Sequence, residues 1–471
     1  MNRNLTLLLF IAALAVSRAQ AAPNVLFIIS DDLTAEALSC YGNVQSRTPG
    51  IDRLASQGIR FTRAYTQYPL CGPSRASLMS GMYPAAIGVM DNQEADNFST
   101  NLGARPSLAQ HFKDSGYYTA RASKIYHMRI PGDITAGVDG PDHLASWSER
   151  FNFPAPEWHS SGTKEHLSNE QLNLDPSQHY AGGFGGAFYV VKTDTDGAEQ
   201  PDVQAARKAI EIMTAHRDRP FFLAVGLVRP HVPLVAPAAW HDRYPAAAMT
   251  LPPQVADDEA DMPKHARTKT SASTGLDSAE KKQKVLSAYY ASVAFMDAQV
   301  GRLLDALDEL GLRDNTIVVF TSDHGYHLGE HEQWQKMSLH EESARIPLII
   351  SAPGKAPATS RSLAQMIDLY PTLSELAGLS VPAHAQGKSL AGLLDNPAVE
   401  VHDAVYSCVR EDHLLTTSRW SYARYRDGGE ELYDHDKDPR QFFNLAAEPA
   451  YASVLGEMRL KLDAKLAEIG S

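Results

Sequence analysis

The stretch Leu70-Cys71-Gly72-Pro73-Ser74-Arg75 holds the side chain best placed to do unusual chemistry. Proline suits the first turn of a helix and glycine its C-terminal cap, so Pro73 and Gly81 predict a helix with Cys71 just ahead of its N-terminus. Unpaired backbone N–H groups point outward there, which favours a thiolate or another anion. A free structural cysteine is the plainer alternative. Two further groups could join it: Asp31-Asp32 closes the run Asn24 to Ser30, and Asp323-His324 follows the run Ile317 to Thr321. Three carboxylates converging on one point repel each other unless a cation sits among them. Oxygen-rich ligation suits a hard divalent ion, Ca²⁺ first and Mg²⁺ second, while the imidazole of His324 also suits softer metals. Taken singly, either pair could be a helix cap or a strand-end turn.

The elements needed to position these groups are legible. Asn24 to Ser30 is a continuous apolar run, as expected of a central parallel strand buried on both faces. Similar runs occur at Phe221 to Val228, Ile317 to Thr321 and Pro347 to Ile350. Between them lie helical patterns. One carries Val203, Ala206, Ile210 and Met213; a longer one carries Tyr289, Val293, Met296, Val300, Leu303, Leu307 and Leu310. Strands alternating with helices predict an α/β fold: a large, mostly parallel sheet between helices, with chemistry at the C-terminal strand ends. Residues 130–200 show no clean period and read as long loops over the sheet edge. After about residue 376 short alternating runs (Ala404 to Arg410, Trp420 to Arg426, Glu431 to Tyr433) and the turn Asp427-Gly428-Gly429 predict a small antiparallel sheet, closed by a helix from about Ala450 to Ile469.

Composition narrows the classes. With 44% hydrophobic and 21% charged residues, the 471-residue chain can bury a full core. A net charge of −13 argues against broad nucleic-acid binding. Arg3, the apolar run Leu5 to Val16 and Ala19-Gln20-Ala21 have the form of a cleaved signal peptide over residues 1–22. That run is too short to span a bilayer, so we expect an exported chain, secreted or periplasmic, that uses the secretion machinery and has no stable membrane anchor. Three cysteines cannot build a disulfide scaffold; Cys40 and Cys408 read as buried structural thiols, though a pair between them is possible.

The Cys71 stretch resembles the signature of the type I sulfatases, Cys-x-Pro-x-Arg followed by a helix and a glycine, with Gly72 and Ser80 where Ser or Ala and Thr are commoner. Asp31-Asp32, Cys71 and Asp323-His324 match that family's metal-site layout in order. Within this branch of the alkaline phosphatase superfamily, Phe221 to Gly226, Arg229-Pro230-His231-Val232-Pro233, Asp297 to Leu304, Phe320 to Glu330 and Glu431 to Asp434 are similar to the iduronate-2-sulfatases. The resemblance covers nearly the whole mature chain. With the signal peptide at 1–22 and the change of pattern after about residue 376, it implies a catalytic domain at 23–375 and an α+β subdomain at 376–471.

By the same resemblance, Cys71 is oxidised by a maturation enzyme to formylglycine, an aldehyde, and Asp31, Asp32, Cys71, Asp323 and His324 hold one divalent cation. Arg75 orients the aldehyde, Lys124 and Lys336 bind sulfate oxygens, His127 holds a hydroxyl of the hydrate, and His231 protonates the leaving oxygen. Tyr326 and His327, which depart from the branch (Trp and a small residue there), are expected near the sugar. The substrate implied is a sulfated saccharide, a uronic acid unit or a related polysaccharide. Two other classes remain open on the residues alone: a phosphatase or phosphodiesterase of the same superfamily, and a glycan-binding homologue whose Cys71 is never matured.

Overall fold

Four buried runs become neighbouring strands, and the common direction of three of them decides where the reactive groups collect. The structure, a computed structural model, describes residues 22–175 and 184–470. The signal-peptide reading of residues 1–22, apart from Ala22, and His179 and Tyr180 lie outside the described residues.

The main sheet contains β1 (Asn24–Asp31), β2 (Ile59–Tyr65), β3 (Tyr118–Ala122), β4 (Glu149–Phe151), β5 (Phe221–Pro230), β6 (Thr316–Ser322), β7 (Arg345–Ser351) and β8 (Ala358–Ser360). Their order is β8-β2-β7-β6-β1-β5-β3-β4, with the short strand Ala364–Gln365 beside β2. All neighbours run parallel except β7, which is antiparallel to both β6 and β2. The expected mostly parallel sheet is present. Ser30 of β1 lies opposite Ser322 of β6 and Leu227 of β5, and a register shift then sets Asp31 opposite Pro230. The C-terminal ends of three adjacent strands therefore deliver Asp31-Asp32, His231 and Asp323-His324 to one place.

Alternation along β1 feeds two cores. Leu26 and Ile28 pack on the face covered by α2 (Pro201–Ala215) and α3 (Ala279–Glu309); Val25, Phe27 and Ile29 pack on the face covered by α1 (Cys71–Ser80). The helical stripe read from the sequence falls on α3, with Tyr289, Val293, Met296, Val300, Leu303 and Leu307 all buried. Among the described residues no helix is long and apolar enough to cross a membrane.

A second sheet of four antiparallel strands, β9 (Ala404–Val409), β10 (Asp412–Thr417), β11 (Trp420–Arg424) and β12 (Glu430–Asp434), carries the terminal helix α4 (Ala452–Gly470). Leu455, Met458 and Leu462 of α4 share a cluster with Tyr65, Tyr68 and Leu70 of the main body. The sequence reading lacked β10, whose run His413-Leu414-Leu415-Thr416-Thr417 does not alternate. It also took 130–200 for loops, whereas this region supplies β4 at the sheet edge and two strands, Thr163–His166 and Tyr189–Thr193, of a small sheet completed by Leu234–Pro237. Thr163–His166 is exposed throughout, so no apolar periodicity marks it. Cys40 and Cys408 are free thiols, as is Cys71.

Candidate active site

Helix α1 begins at Cys71 itself, and Gly81 closes it in the left-handed conformation with its N–H on Ser77 O. Gly72 is required by close approach: a Cβ there would stand 2.8 Å from Asn92 Oδ1, which instead accepts the Gly72 N–H at 2.8 Å. The helix presents the Cys71 thiol to the ends of β1 and β6. Its Sγ lies 3.4 Å from His324 Nε2, 3.3 Å from Lys336 Nζ and 3.8 Å from Asp32 Oδ1. The helix terminus does not make it a thiolate. Burial, reinforced by the Asp31 carboxylate, pushes the thiol well above its ordinary range despite Lys124 and Lys336.

The carboxylates beside it are buried and cross-linked by cations of the chain. Arg75 donates to Asp323 Oδ2 at 2.9 Å and to Asp31 Oδ1 at 3.2 Å, and Lys124 donates to Asp31 Oδ2 at 2.6 Å. Lys336 donates to Asp32 Oδ1 at 2.6 Å. Burial alone would raise Asp31, but Lys124, His231 and Arg75 outweigh it and hold the carboxyl well below its usual range. For Asp32 burial is likewise outweighed by His231, Lys336 and His324. Asp323 goes the other way: burial raises it in spite of His324 and Arg75.

Three carboxylates thus face three cations, so mutual repulsion alone does not demand a metal. The fit rests on other features. Ligand atoms of Asp31, Asp32, Cys71 and His324 all lie within 4.8 Å of one another, and Asp32 Oδ2 is buried without a hydrogen-bond partner. Asp323 stands at the margin of this group. Its Oδ1 accepts the N–H groups of Asp32 at 3.2 Å and His324 at 3.0 Å and lies 3.7 Å from His324 Nε2. A divalent cation on this donor set would tip a balanced pocket to net positive, the sign an anionic ligand needs.

Above this group opens a cavity of about 830 Å³ whose wall includes Cys71, His127, His231 and Lys336. His231 Nδ1 lies 2.5 Å from Val232 O, which leaves Nε2 facing Asp32 Oδ2 at 3.9 Å. Burial lowers His231 to about 4, only partly opposed by Asp32. His127 has a buried Nδ1 without a partner and is held well below the usual imidazole range by burial and Lys124. Arg75 and Lys124 lie beneath the cavity floor, fully buried. Gly226 makes room for Lys124, since a Cβ at 226 would meet Lys124 O at 1.9 Å.

Tyr326 and His327 require correction: neither is on the cavity wall. Tyr326 is stacked on Tyr289, and His327 belongs to the short strand His327–Leu328, paired with Gln335 and Trp334, which turns its ring into a buried group with His331 and His340. Sequence reasoning also missed a support for His231. Arg229 is fully buried, ion-paired to Glu157, and donates to His231 O at 2.7 Å and Pro233 O at 2.8 Å. Glu157 lies in the aperiodic region, and no local pattern links the two.

The sulfatase family model matches residues 23–379, and a second model, the N-sulphoglucosamine sulphohydrolase C-terminal region, matches 329–468. A sulfatase of Formosa agariphila is 33% identical, covering 90% of this chain and 83% of its own. Human iduronate 2-sulfatase is 32% identical over 77% of this chain and 70% of its own. The choline-sulfatase of Rhizobium meliloti is 30% identical over 91% and 83%. Among solved structures, one in complex with its substrate D-glucosamine-2-N,6-O-disulfate has a TM-score of 0.74 at 24% identity, covering 95% of this chain and 98% of that one. The phosphonate monoester hydrolase of Agrobacterium radiobacter has 0.76 at 24%, covering 95% and 96%, which speaks for the fold alone.

Proposed function

The chain belongs to the sulfatase family and is a sulfuric ester hydrolase; from that premise we propose that it is exported and cleaves sulfate from a saccharide with an aldehyde made by oxidation of Cys71. The observation that carries this reading is the position of Cys71: first residue of α1, on the cavity wall, within 3.8 Å of Asp32, His324 and Lys336. Its thiol is held neutral, which suits a residue that acts after modification better than one that attacks as a thiolate. A hydrated aldehyde supplies two hydroxyls on one carbon, so one can take the sulfate and the other can expel it; a serine lacks the second.

The chain's own residues then have distinct tasks. Asp31, Asp32 and His324, with Asp323 through Oδ1, would hold a divalent ion, calcium before magnesium, which supplies Lewis acidity toward the sulfate oxygens. Lys336, on the wall, contacts the sulfate, and Lys124 and Arg75 fix the carboxylates from below. His127 Nδ1 accepts a hydrogen bond from the hydrate. His231 gives a proton to the departing sugar oxygen through Nε2. A saccharide is favoured by the relatives that act on sugars, and by a cavity near the upper end of the range for ligand sites, about 300–1,000 Å³. We keep domain limits of 23–375 and 376–471 on the ground that the four-stranded sheet and α4 all lie after residue 376.

Intact-mass analysis of the Cys71 peptide, metal stoichiometry and a substrate panel test the reading together. Formylglycine is lighter than cysteine, one hard divalent ion per chain is expected, and a sulfated disaccharide should be turned over faster than choline sulfate. An unmodified Cys71 in active enzyme would refute the aldehyde; two tightly bound zinc ions would favour phosphoryl or phosphonyl transfer, the other chemistry this fold carries.

A further inference from the structure

The cavity is cationic in a chain that is acidic overall. Its wall carries seven Lys or Arg residues and two Asp, against a net charge of −13 for the sequence. Both acids are occupied: Asp96 pairs with Arg129 at 3.0 Å, and Asp412, almost fully buried, accepts the Arg426 N–H at 2.8 Å. Lys264, Lys269 and Arg410 make no ion pair among the described residues, and Arg267 donates only to Met262 O. One reactive sulfate can engage one centre. Lys336 and the groups below it already serve that centre, so these outer cations have no task in the cleavage itself.

Arg410 is the most informative of them. It forms the two-residue turn between β9 and β10 with Glu411, and its φ of 56° puts a bulky side chain in the left-handed region, where Gly or Asn sits at less cost. The Tyr68 hydroxyl accepts its backbone N–H at 3.0 Å and pins the turn at the cavity mouth, two residues before Leu70 and close to Cys71 in sequence. Strained residues that the surroundings hold in place gather at ligand sites. Lys264 and Arg267 line the same cavity from a segment tied to β12 through Asn444, whose N–H donates to Asp261 Oδ2 at 2.9 Å and whose Oδ1 accepts the Leu432 N–H at 3.0 Å.

We infer that Arg410, with Lys264 and Arg267, forms a subsite for a second anionic group of the saccharide, so that the preferred substrate carries a sulfate ester or a uronate carboxylate besides the sulfate that is cleaved. The inference rests on the saccharide reading above. It makes the C-terminal sheet a selector of substrate charge, and it makes that selection sensitive to salt.

Four substrates of the matured enzyme test it: a disaccharide with one sulfate, the same disaccharide with a second sulfate, the same with a uronate carboxylate, and nitrophenyl sulfate. The ratio of kcat/KM for a doubly charged over the singly charged disaccharide should be about tenfold or more, as a charged hydrogen bond supplies. Arg410→Asn, which suits the left-handed turn, and Lys264→Ala should each bring that ratio toward one. Added salt should do the same in the wild type. Whichever of the two doubly charged sugars shows the larger ratio identifies the group. A wild-type ratio near one with brisk cleavage of the monosulfated disaccharide overturns the subsite and leaves the saccharide reading standing; so does a ratio unmoved by both substitutions. Turnover of nitrophenyl sulfate with no disaccharide cleaved overturns the saccharide reading, and the subsite with it.

Discussion

In the proposed mechanism Cys71 and His231 divide the reaction between them, and each can be tested by what its replacement cannot do. Serine is nearly isosteric with Cys71 and the site is polar, so Cys71→Ser and Cys71→Ala should fold like the parent, with melting temperatures within a few degrees. Neither can form the hydrate, and turnover should vanish with every sulfate ester; wild-type-like rates in either variant would end the aldehyde mechanism. His231 is subtler. A ring lowered to about 4 by burial is neutral in the free protein at pH 7, with Nδ1 committed to Val232 O. To act as an acid it must take up a proton along with the anionic substrate. Raising the pH through this depressed pKa removes the protonated form, so kcat/KM for a sugar sulfate should fall with rising pH. Nitrophenyl sulfate, whose phenolate leaves without help, should not follow that limb. On the same grounds His231→Ala should cost on the order of 10²–10⁴-fold with a sugar sulfate and far less with the aryl ester. Equal losses on both would move His231 from proton donor to sulfate ligand.

Strands and turns decide which residues can meet, and at this scale the support of His231 carries its own consequence. Arg229 holds the His231 loop by two carbonyls and holds Glu157 by an ion pair from which water is excluded. Removing the guanidinium strands a buried carboxylate, so Arg229→Met should cost about 3–5 kcal/mol of stability in denaturant titration. The double variant Arg229→Met/Glu157→Gln should recover much of that stability, because the stranded charge is gone, yet kcat should stay low because His231 O and Pro233 O have lost their donor. Recovery of both together would reduce Arg229 to a structural role. This pair also shows what the sequence could disclose. Asp31-Asp32, Asp323-His324 and Cys71 were legible because each sits at the end of a strong local pattern: an apolar run or a Pro-to-Gly helix. Lys124 and His127 were reached by resemblance alone. Tyr326 and His327 were misplaced because adjacency to Asp323 says nothing about direction, and the short strand at 327–328 turns His327 inward. Glu157, Lys264 and Arg410 come from segments far apart in the chain, so no window along the sequence holds them together.

Across the whole molecule, the two sheets meet at a seam of buried titratable groups that serves folding, and its pH dependence follows from signs that agree. His340 Nε2 lies 3.2 Å from Glu431 Oε2, and that carboxylate also accepts the hydroxyls of Tyr425 at 2.6 Å and Tyr433 at 3.0 Å. Beside it His331 Nδ1 meets Asp258 Oδ2 at 2.9 Å. Burial opposes the charged ring of His331, but Asp258, Glu342 and Glu330 outweigh it and raise the ring from 6.5 to about 9. Its contribution to stability is fully present below 6.5, the unfolded value, and is lost as pH rises through 9. Glu330 is raised from 4.5 to about 8, by burial first and then by Glu342 and Glu36. Its folded form keeps a proton that the unfolded chain has released, so stability again declines as pH rises between 4.5 and 8. The two windows overlap between 6.5 and 8, and there the fall should be steepest. Thermal melts across pH 5 to 9 should show Tm declining over this interval; the depressed carboxyls of Asp31 and Asp32 at the candidate site withdraw stability only below their ordinary value of 3.8. Glu330→Gln keeps an acceptor for the Leu328 N–H, which now donates to Glu330 Oε2 at 2.6 Å, and removes the titration. That variant should flatten the slope while leaving Tm at pH 5 close to the parent's. A slope unchanged by Glu330→Gln, and by His331→Asn beside it, would place the alkaline loss elsewhere than at the seam.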